Sequence, residues 1–175
     1  VLATAKHFPG HGDTQTDSHV TVPVVPADLN RLNSLELVPF RRAVDDGVDA
    51  VMTAHVVVSG VQGLEAAPAT FDARFMTDLL RGDMGFDGLL FTDALTMGAL
   101  SERYGTDEVA VLALEAGSDV LLMPADVTEA IDAVMNAVGE GRLDSARVRG
   151  SARRVLETKA RAGLHLGRMV DLDAV

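Results

Sequence analysis

Between Lys6 and His19 the chain concentrates side chains that can move protons or hold a ligand. The segment reads Lys6-His7-Phe8-Pro9-Gly10-His11-Gly12-Asp13-Thr14, then Asp17-Ser18-His19, and it carries three of the five histidines. In an extended stretch Asp17 and His19 point to the same side, because side chains there alternate with a period of two. A carboxylate beside an imidazole favours the charged ring and fixes its orientation, and histidine titrates near neutrality, where a general acid/base is most effective. His7, His11, Asp13, Asp17 and His19 are also all metal-ligand types, which gives the same segment a second reading as a metal site. Against it, Gly and Pro separate these residues and no helical His-x-x-x-His scaffold holds them. The Gly10-x-Gly12 pair is too sparse for a nucleotide loop and lacks a Gly-Lys-Ser/Thr ending. His11 and His165 read as surface or turn residues.

A further candidate lies far downstream. Asp93 follows Leu89-Leu90-Phe91-Thr92, so an acid stands at the mouth of an otherwise apolar strand. It reads either as a helix cap or structural carboxylate, or as a carboxylate held rigidly enough for covalent catalysis. Position alone leaves both open. His55, at the end of another apolar run, reads as a structural rim residue.

The elements that must position these groups are marked by a weak repeat: Gly47-Val48-Asp49-Ala50-Val51-Met52, Gly85-Phe86-Asp87-Gly88-Leu89-Leu90 and Gly117-Ser118-Asp119-Val120-Leu121-Leu122. In each copy Gly suits the left-handed position that closes a helix, Asp fits a turn, and the unalternating apolar run fits a strand buried on both faces. Ser34 is expected to cap a helix running to about Asp46, and Asp72 one with Phe75, Met76, Leu79 and Leu80 as its stripe. Thr106 with Asp107 and Glu108 marks a third start. Two more helices fit about Thr128 to Val138, with Ile131, Val134, Met135 and Val138 on one face, and about Ser145 to Ala162. Strands are expected near 1 to 5, 49 to 54, 88 to 92 and 119 to 123.

Alternation of this kind specifies α/β architecture with a parallel sheet and helical crossovers. It admits an open doubly wound sheet or part of an eight-stranded barrel; four strands cannot close one, so the barrel requires another half. In either, ligands bind at the carboxyl ends of the strands, where Lys6-His7, His55, Thr92-Asp93 and Met123-Pro124 stand. The stretch from Phe8 to Asn33 is a long aperiodic connection, of the kind that is functional in compact α/β domains.

Composition narrows the function classes. A 175-residue chain that is 47% hydrophobic can bury one core, and 26 acidic against 15 basic residues give a formal charge of -11. Such a charge repels phosphate backbones and anionic headgroups, which argues against nucleic acid as a partner. No apolar run approaches the roughly 20 residues of a membrane span. The absence of cysteine excludes disulfides and thiolate metal sites and fits a cytoplasmic or an exported protein equally. Val1 to Ala5 already reads as a strand, so the chain is expected to begin inside something larger.

The loop Lys6 to Thr14 with Asp17-Ser18-His19, together with Phe91-Thr92-Asp93-Ala94-Leu95-Thr96-Met97, resembles glycoside hydrolase family 3 in its bacterial β-N-acetylhexosaminidase branch. The likeness extends from the first strand to about Gly163. It implies the C-terminal half of a (β/α)8 TIM-type barrel, about four βα units, over residues 1–163, with 164–175 a tail or linker. It also implies a retaining glycosidase that removes terminal β-linked N-acetylglucosamine, with peptidoglycan fragments as the substrate class. By the resemblance Asp93 is the nucleophile, His19 supported by Asp17 is the acid/base, and Lys6 and His7 hold sugar hydroxyls. No cofactor or metal is implied. The partner is a carbohydrate, and the other half of the barrel supplies the rest of the pocket. Two other readings stand beside this one: a glycoside phosphorylase, since a histidine acid/base does not repel an incoming phosphate, and a non-catalytic sugar-binding fragment.

Overall fold

The structure, a computed structural model, describes residues 1–14, 22–101 and 103–167. Asp17 and His19 lie outside the described residues. In chain order the elements are β1 (Thr4–Phe8), β2 (Val24–Val25), α1 (Leu29–Ser34), α2 (Val38–Asp45), β3 (Ala50–Thr53), β4 (Val57–Val58) and α3 (Ser59–Gln62). A 3-10 turn (Ala69–Phe71), a π-helix (Arg74–Asp83) and β5 (Leu89–Ala94) follow, then α4 (Gly98–Ser101), α5 (Thr106–Ala116), β6 (Val120–Leu122), α6 (Val127–Gly139) and α7 (Ser145–Arg161).

The main sheet runs β1-β3-β5-β6, and every pairing in it is parallel. Each strand lies beside its predecessor in the sheet, with no reversal of order. A doubly wound sheet reverses at a switch point and a barrel does not, so the order fits the barrel arrangement. The expected first strand is displaced: it spans Thr4–Phe8, so Lys6 and His7 lie within it.

All three repeat copies close a helix with a left-handed glycine: φ is 78° at Gly47, 69° at Gly85 and 134° at Gly117. At Gly117 a side chain is also excluded sterically, since a Cβ there would stand 2.8 Å from Thr77 Oγ1. The repeat aspartates do more than turn the chain. Asp49 Oδ2 accepts from Ala3 N at 3.0 Å, and Asp119 Oδ2 from Leu90 N at 3.1 Å. Each staples the start of its own strand to the preceding one. Asp119, with its side chain fully buried, also pairs with Arg81, Arg147 and Arg154 and accepts from Ser151 at 2.7 Å.

The helix expected from Ser34 to Asp46 is two helices. Asp28 caps α1, accepting from Arg31 N at 2.8 Å, while Ser34 is its last residue and bonds back to Arg31 O. Pro39, with no N–H to donate, is accommodated only in the first turn of a helix, so α2 restarts there. The aperiodic connection also hides β2, which pairs in parallel with β4 to form a small second sheet.

The core fills the space between the sheet and the helices, with Phe8, Leu32, Val51, Phe75, Leu80 and Leu90 nearly or fully buried. On α6, Val134 and Val138 pack against Val111 and Leu114, but Ile131 and Met135 are exposed. The expected apolar stripe is thus split, and Val127, Ile131 and Met135 line an outward face. No helix among the described residues is long and apolar enough to cross a membrane.

Candidate active site

Along β5, Leu90 and Thr92 are fully buried, and Thr92 Oγ1 accepts from Leu122 N at 2.9 Å. Alternation puts Asp93 on the opposite face, near the carboxyl end of the strand. Its carboxylate is 23% exposed, and Oδ1 accepts from Ala94 N at 2.8 Å. The other oxygen, Oδ2, lies 3.6 Å from Nε2 of His7, which is 30% exposed. At that separation the two attract without a direct hydrogen bond.

Burial holds the His7 pKa below its ordinary value; the negative charge of Asp93 opposes this, while Lys6 and His11 reinforce it. At neutral pH His7 is therefore a neutral ring, able to donate from one nitrogen and accept at the other. It shares a cleft of about 470 Å³ with Lys6, Gly10, His11, Arg31 and Glu36. Lys6 is exposed there. The Lys6–His7 and Phe8–Pro9 peptide bonds are both cis.

His55 stands behind Asp93. It is 1% exposed, with Nε2 3.2 Å from Ala94 O and Nδ1 2.9 Å from Thr70 Oγ1. Burial lowers its pKa, against the hydrogen bond to Ala94 and the charge of Asp93, so the ring is neutral. A carbonyl only accepts, so Nε2 carries the hydrogen bonded to Ala94 O, and the single Thr70 hydroxyl proton goes to Ala54 O. Thr70 Oγ1 in turn lies 3.0 Å from Thr53 Oγ1 and 2.9 Å from Ala54 O. This chain of bonds ties the end of β5 to the end of β3. Nothing in the sequence marked Thr70, which reaches the site from the 3-10 turn.

His11 Nδ1 lies 2.9 Å from Thr14 Oγ1, a local turn contact. Asp13 is committed to Arg31 at 2.6 Å, and Arg31 also reaches Glu36 at 3.0 Å. No group of three or more His, Cys, Asp or Glu among the described residues is placed to share a metal ion. The structure thus brings Lys6, His7 and Asp93 to one rim, with His55 beneath. Arg31 and Glu36 escaped sequence reading because no motif or periodicity set them apart.

Parallel strands in barrel order agree with what comparison with known proteins shows. Residues 1–158 match the glycosyl hydrolase family 3 N terminal domain, and the chain belongs to that family. It is 40% identical over 135 residues to a β-hexosaminidase of Alkalilimnicola ehrlichii, covering 77% of this chain and 38% of that protein. Among solved structures, a glycoside hydrolase family 3 β-N-acetylglucosaminidase from Paenibacillus sp. strain FPU-7 superposes with a TM-score of 0.91 at 46% identity, over 98% of this chain and 33% of that one. A β-glucoside phosphorylase superposes with a TM-score of 0.89 at 26% identity, over 96% of this chain and 32% of that one. The chain therefore spans well under half of the length of these relatives, and its fold is about four βα units of a (β/α)8 barrel.

Proposed function

We propose that this chain forms the half of a retaining glycosidase that carries its catalytic groups, and that the enzyme removes terminal β-linked N-acetylglucosamine, with peptidoglycan fragments as substrate class. The observation that carries the reading is the Asp93 carboxylate, partly open at the carboxyl end of β5, with the neutral His7 ring 3.6 Å away. The names of the relatives support the substrate.

In this mechanism Asp93 attacks the anomeric carbon and forms a glycosyl-enzyme while His19, oriented by Asp17, protonates the departing oxygen. His19 then takes a proton from water, the oxygen of which attacks the anomeric carbon and releases Asp93. Two inversions give net retention. Retaining glycosidases commonly use two carboxyl groups about 5 to 5.5 Å apart; an imidazole instead has an unperturbed pKa closer to neutrality. Lys6 and His7 hold sugar hydroxyls at the same rim as Asp93.

Residues 1–163 form the barrel portion and 164–175 a tail, a division supported by the end of α7 at Arg161. The other half of the barrel completes the pocket. The exposed Val127, Ile131 and Met135 on α6 support this, as does a four-stranded sheet too small to close.

Following the first product by proton NMR tests the reading. The β-anomer is expected to appear before mutarotation, and initial release of the α-anomer would overturn retention. The likeness to a phosphorylase favours one competing reading. Formation of a glycosyl phosphate when inorganic phosphate is added would establish it, whereas free sugar in either buffer supports hydrolysis.

A further inference from the structure

Met123 is the one non-glycine among the described residues with a left-handed backbone, at a φ of 48°. An L-residue there brings its Cβ against the following carbonyl oxygen, and only Gly, Asn and Asp adopt the region readily. Pro124 follows, and a proline favours extended backbone, with φ of about −120°, in the residue before it. Met123 goes against both preferences. A glycine would make the same turn without strain, and packing among the described residues does not hold the side chain, which is 59% exposed. Strained residues of this kind cluster at functional sites, where the surrounding structure enforces them.

The surroundings that enforce this one belong to β5. Leu122 N donates to Thr92 Oγ1 at 2.9 Å, and Leu122 O accepts from Leu95 N at 2.9 Å. Both backbone polar groups of the residue before Met123 are therefore engaged by residues that flank Asp93. Leu122 pairs with Ala94 in the parallel register, so Met123 stands one strand across from Asp93 and two residues further along. With about 4.8 Å between strands and about 3.3 Å per residue, their Cα atoms are about 8 Å apart. A hexose ring with its substituents spans that interval. Methionine offers unbranched, polarizable apolar surface that adapts to an irregular partner, and the C–H face of a sugar is such a partner.

We infer that Met123 contacts the substrate, packing against the C–H face of the sugar held at Asp93, and that its backbone strain is retained for this contact. The inference rests on the proposed role of Asp93. Because β6 is an edge strand of the sheet, the competing use of the side chain is packing against a strand supplied by the other half of the barrel. The two uses differ in their effect on stability.

The test measures kcat/KM on 4-nitrophenyl N-acetyl-β-glucosaminide and the urea midpoint, in the full-length protein and three variants. Gly and Asn accept the left-handed turn but remove the apolar surface, whereas Leu keeps both the surface and the strain. Met123→Gly and Met123→Asn should lose about 5- to 20-fold in kcat/KM, the value of desolvating part of an apolar side chain, mainly through a raised KM. Their urea midpoints should equal or exceed that of the parent protein, and Met123→Leu should stay within about threefold of its kcat/KM. Lower midpoints in both Met123→Gly and Met123→Asn would assign the side chain to packing and overturn the inference. So would kcat/KM within about twofold of the parent in both, or a loss in Met123→Leu as large as in Met123→Asn. Asp93→Asn tests the underlying reading separately: if it keeps the parent kcat/KM the site assignment fails, whereas an inactive Asp93→Asn beside fully active Met123→Gly and Met123→Asn rejects the contact alone.

Discussion

His7 Nε2 and Asp93 Oδ2 approach to 3.6 Å although they come from β1 and β5, which are not neighbours in the sheet. Strands two apart are separated by about 9–10 Å. The two side chains close that gap near the carboxyl end of β3, where Thr53 pairs with Phe8. A sugar bound against Asp93 thus has His7 at its flank. His7→Ala is expected to lower kcat/KM by about 5- to 30-fold, the loss of one or two hydrogen bonds worth about 1 kcal/mol each, with KM raised. Steady-state kinetics of the folded variant checks this; an unchanged kcat/KM would remove His7 from the sugar-binding set.

His55 acts on the opposite side of Asp93. Replacing it by Phe removes the donor to Ala94 O, leaving that carbonyl without its side-chain partner at about 1–3 kcal/mol, and takes away one of the contacts of Thr70. Lower denaturation free energy together with reduced kcat is expected, because the backbone carrying Asp93 loses its tie to β3. Loss of stability with full kcat would make His55 purely structural.

The same residue sets a pH dependence. Burial lowers the pKa of His55, and of the half-buried His7, below the unfolded value of about 6.5. Between the unfolded and the folded pKa the unfolded chain binds more protons, so stability falls as pH drops. Their contribution is fully present above about pH 6.5 and is lost as pH falls through the folded values. Melting temperatures from pH 8 to pH 5 should decline over the acid half of that range, and His55→Gln should flatten the decline. A slope unchanged by the substitution would assign the effect to other groups.

Asp119 makes a contrasting case. It precedes β6 and gathers Arg81, Arg147 and Arg154 at the rim opposite Asp93. Removing one partner of a buried ion pair typically costs about 3–5 kcal/mol, less where the remaining charges reach solvent, as Arg154 does here. Asp119→Ala should therefore lower the urea midpoint sharply while kcat/KM per folded molecule stays within about twofold. A marked kinetic defect in folded Asp119→Ala would show that the two rims are coupled.

Features whose cause is local are legible in the sequence. Gly47, Gly85 and Gly117 mark three helix-to-strand joints because only a left-handed residue closes a helix that way, and Asp93 stands out as a candidate because an acid ends an apolar run, although its position alone leaves its role open. The break between α1 and α2 was also written locally, in Pro39, but the capping potential of Ser34 obscured it. What stayed hidden depends on tertiary contact: β2 exists because β4 passes beside it, Thr70 joins His55 only through the 3-10 turn, and Arg31 meets Asp13 and Glu36 only once the loop folds back. The outward face of Ile131 and Met135 escaped too, because periodicity reports an apolar stripe without saying what covers it.

Asp93 is the proposed nucleophile. Incubating the full-length protein with 5-fluoro-N-acetylglucosaminyl fluoride, which forms a glycosyl-enzyme readily but releases it slowly, and mapping the labelled peptide by mass spectrometry tests it most directly. A single adduct on Asp93, absent in Asp93→Asn, is the predicted result. An adduct on another residue, or turnover of the reagent with no adduct at any time, would contradict it.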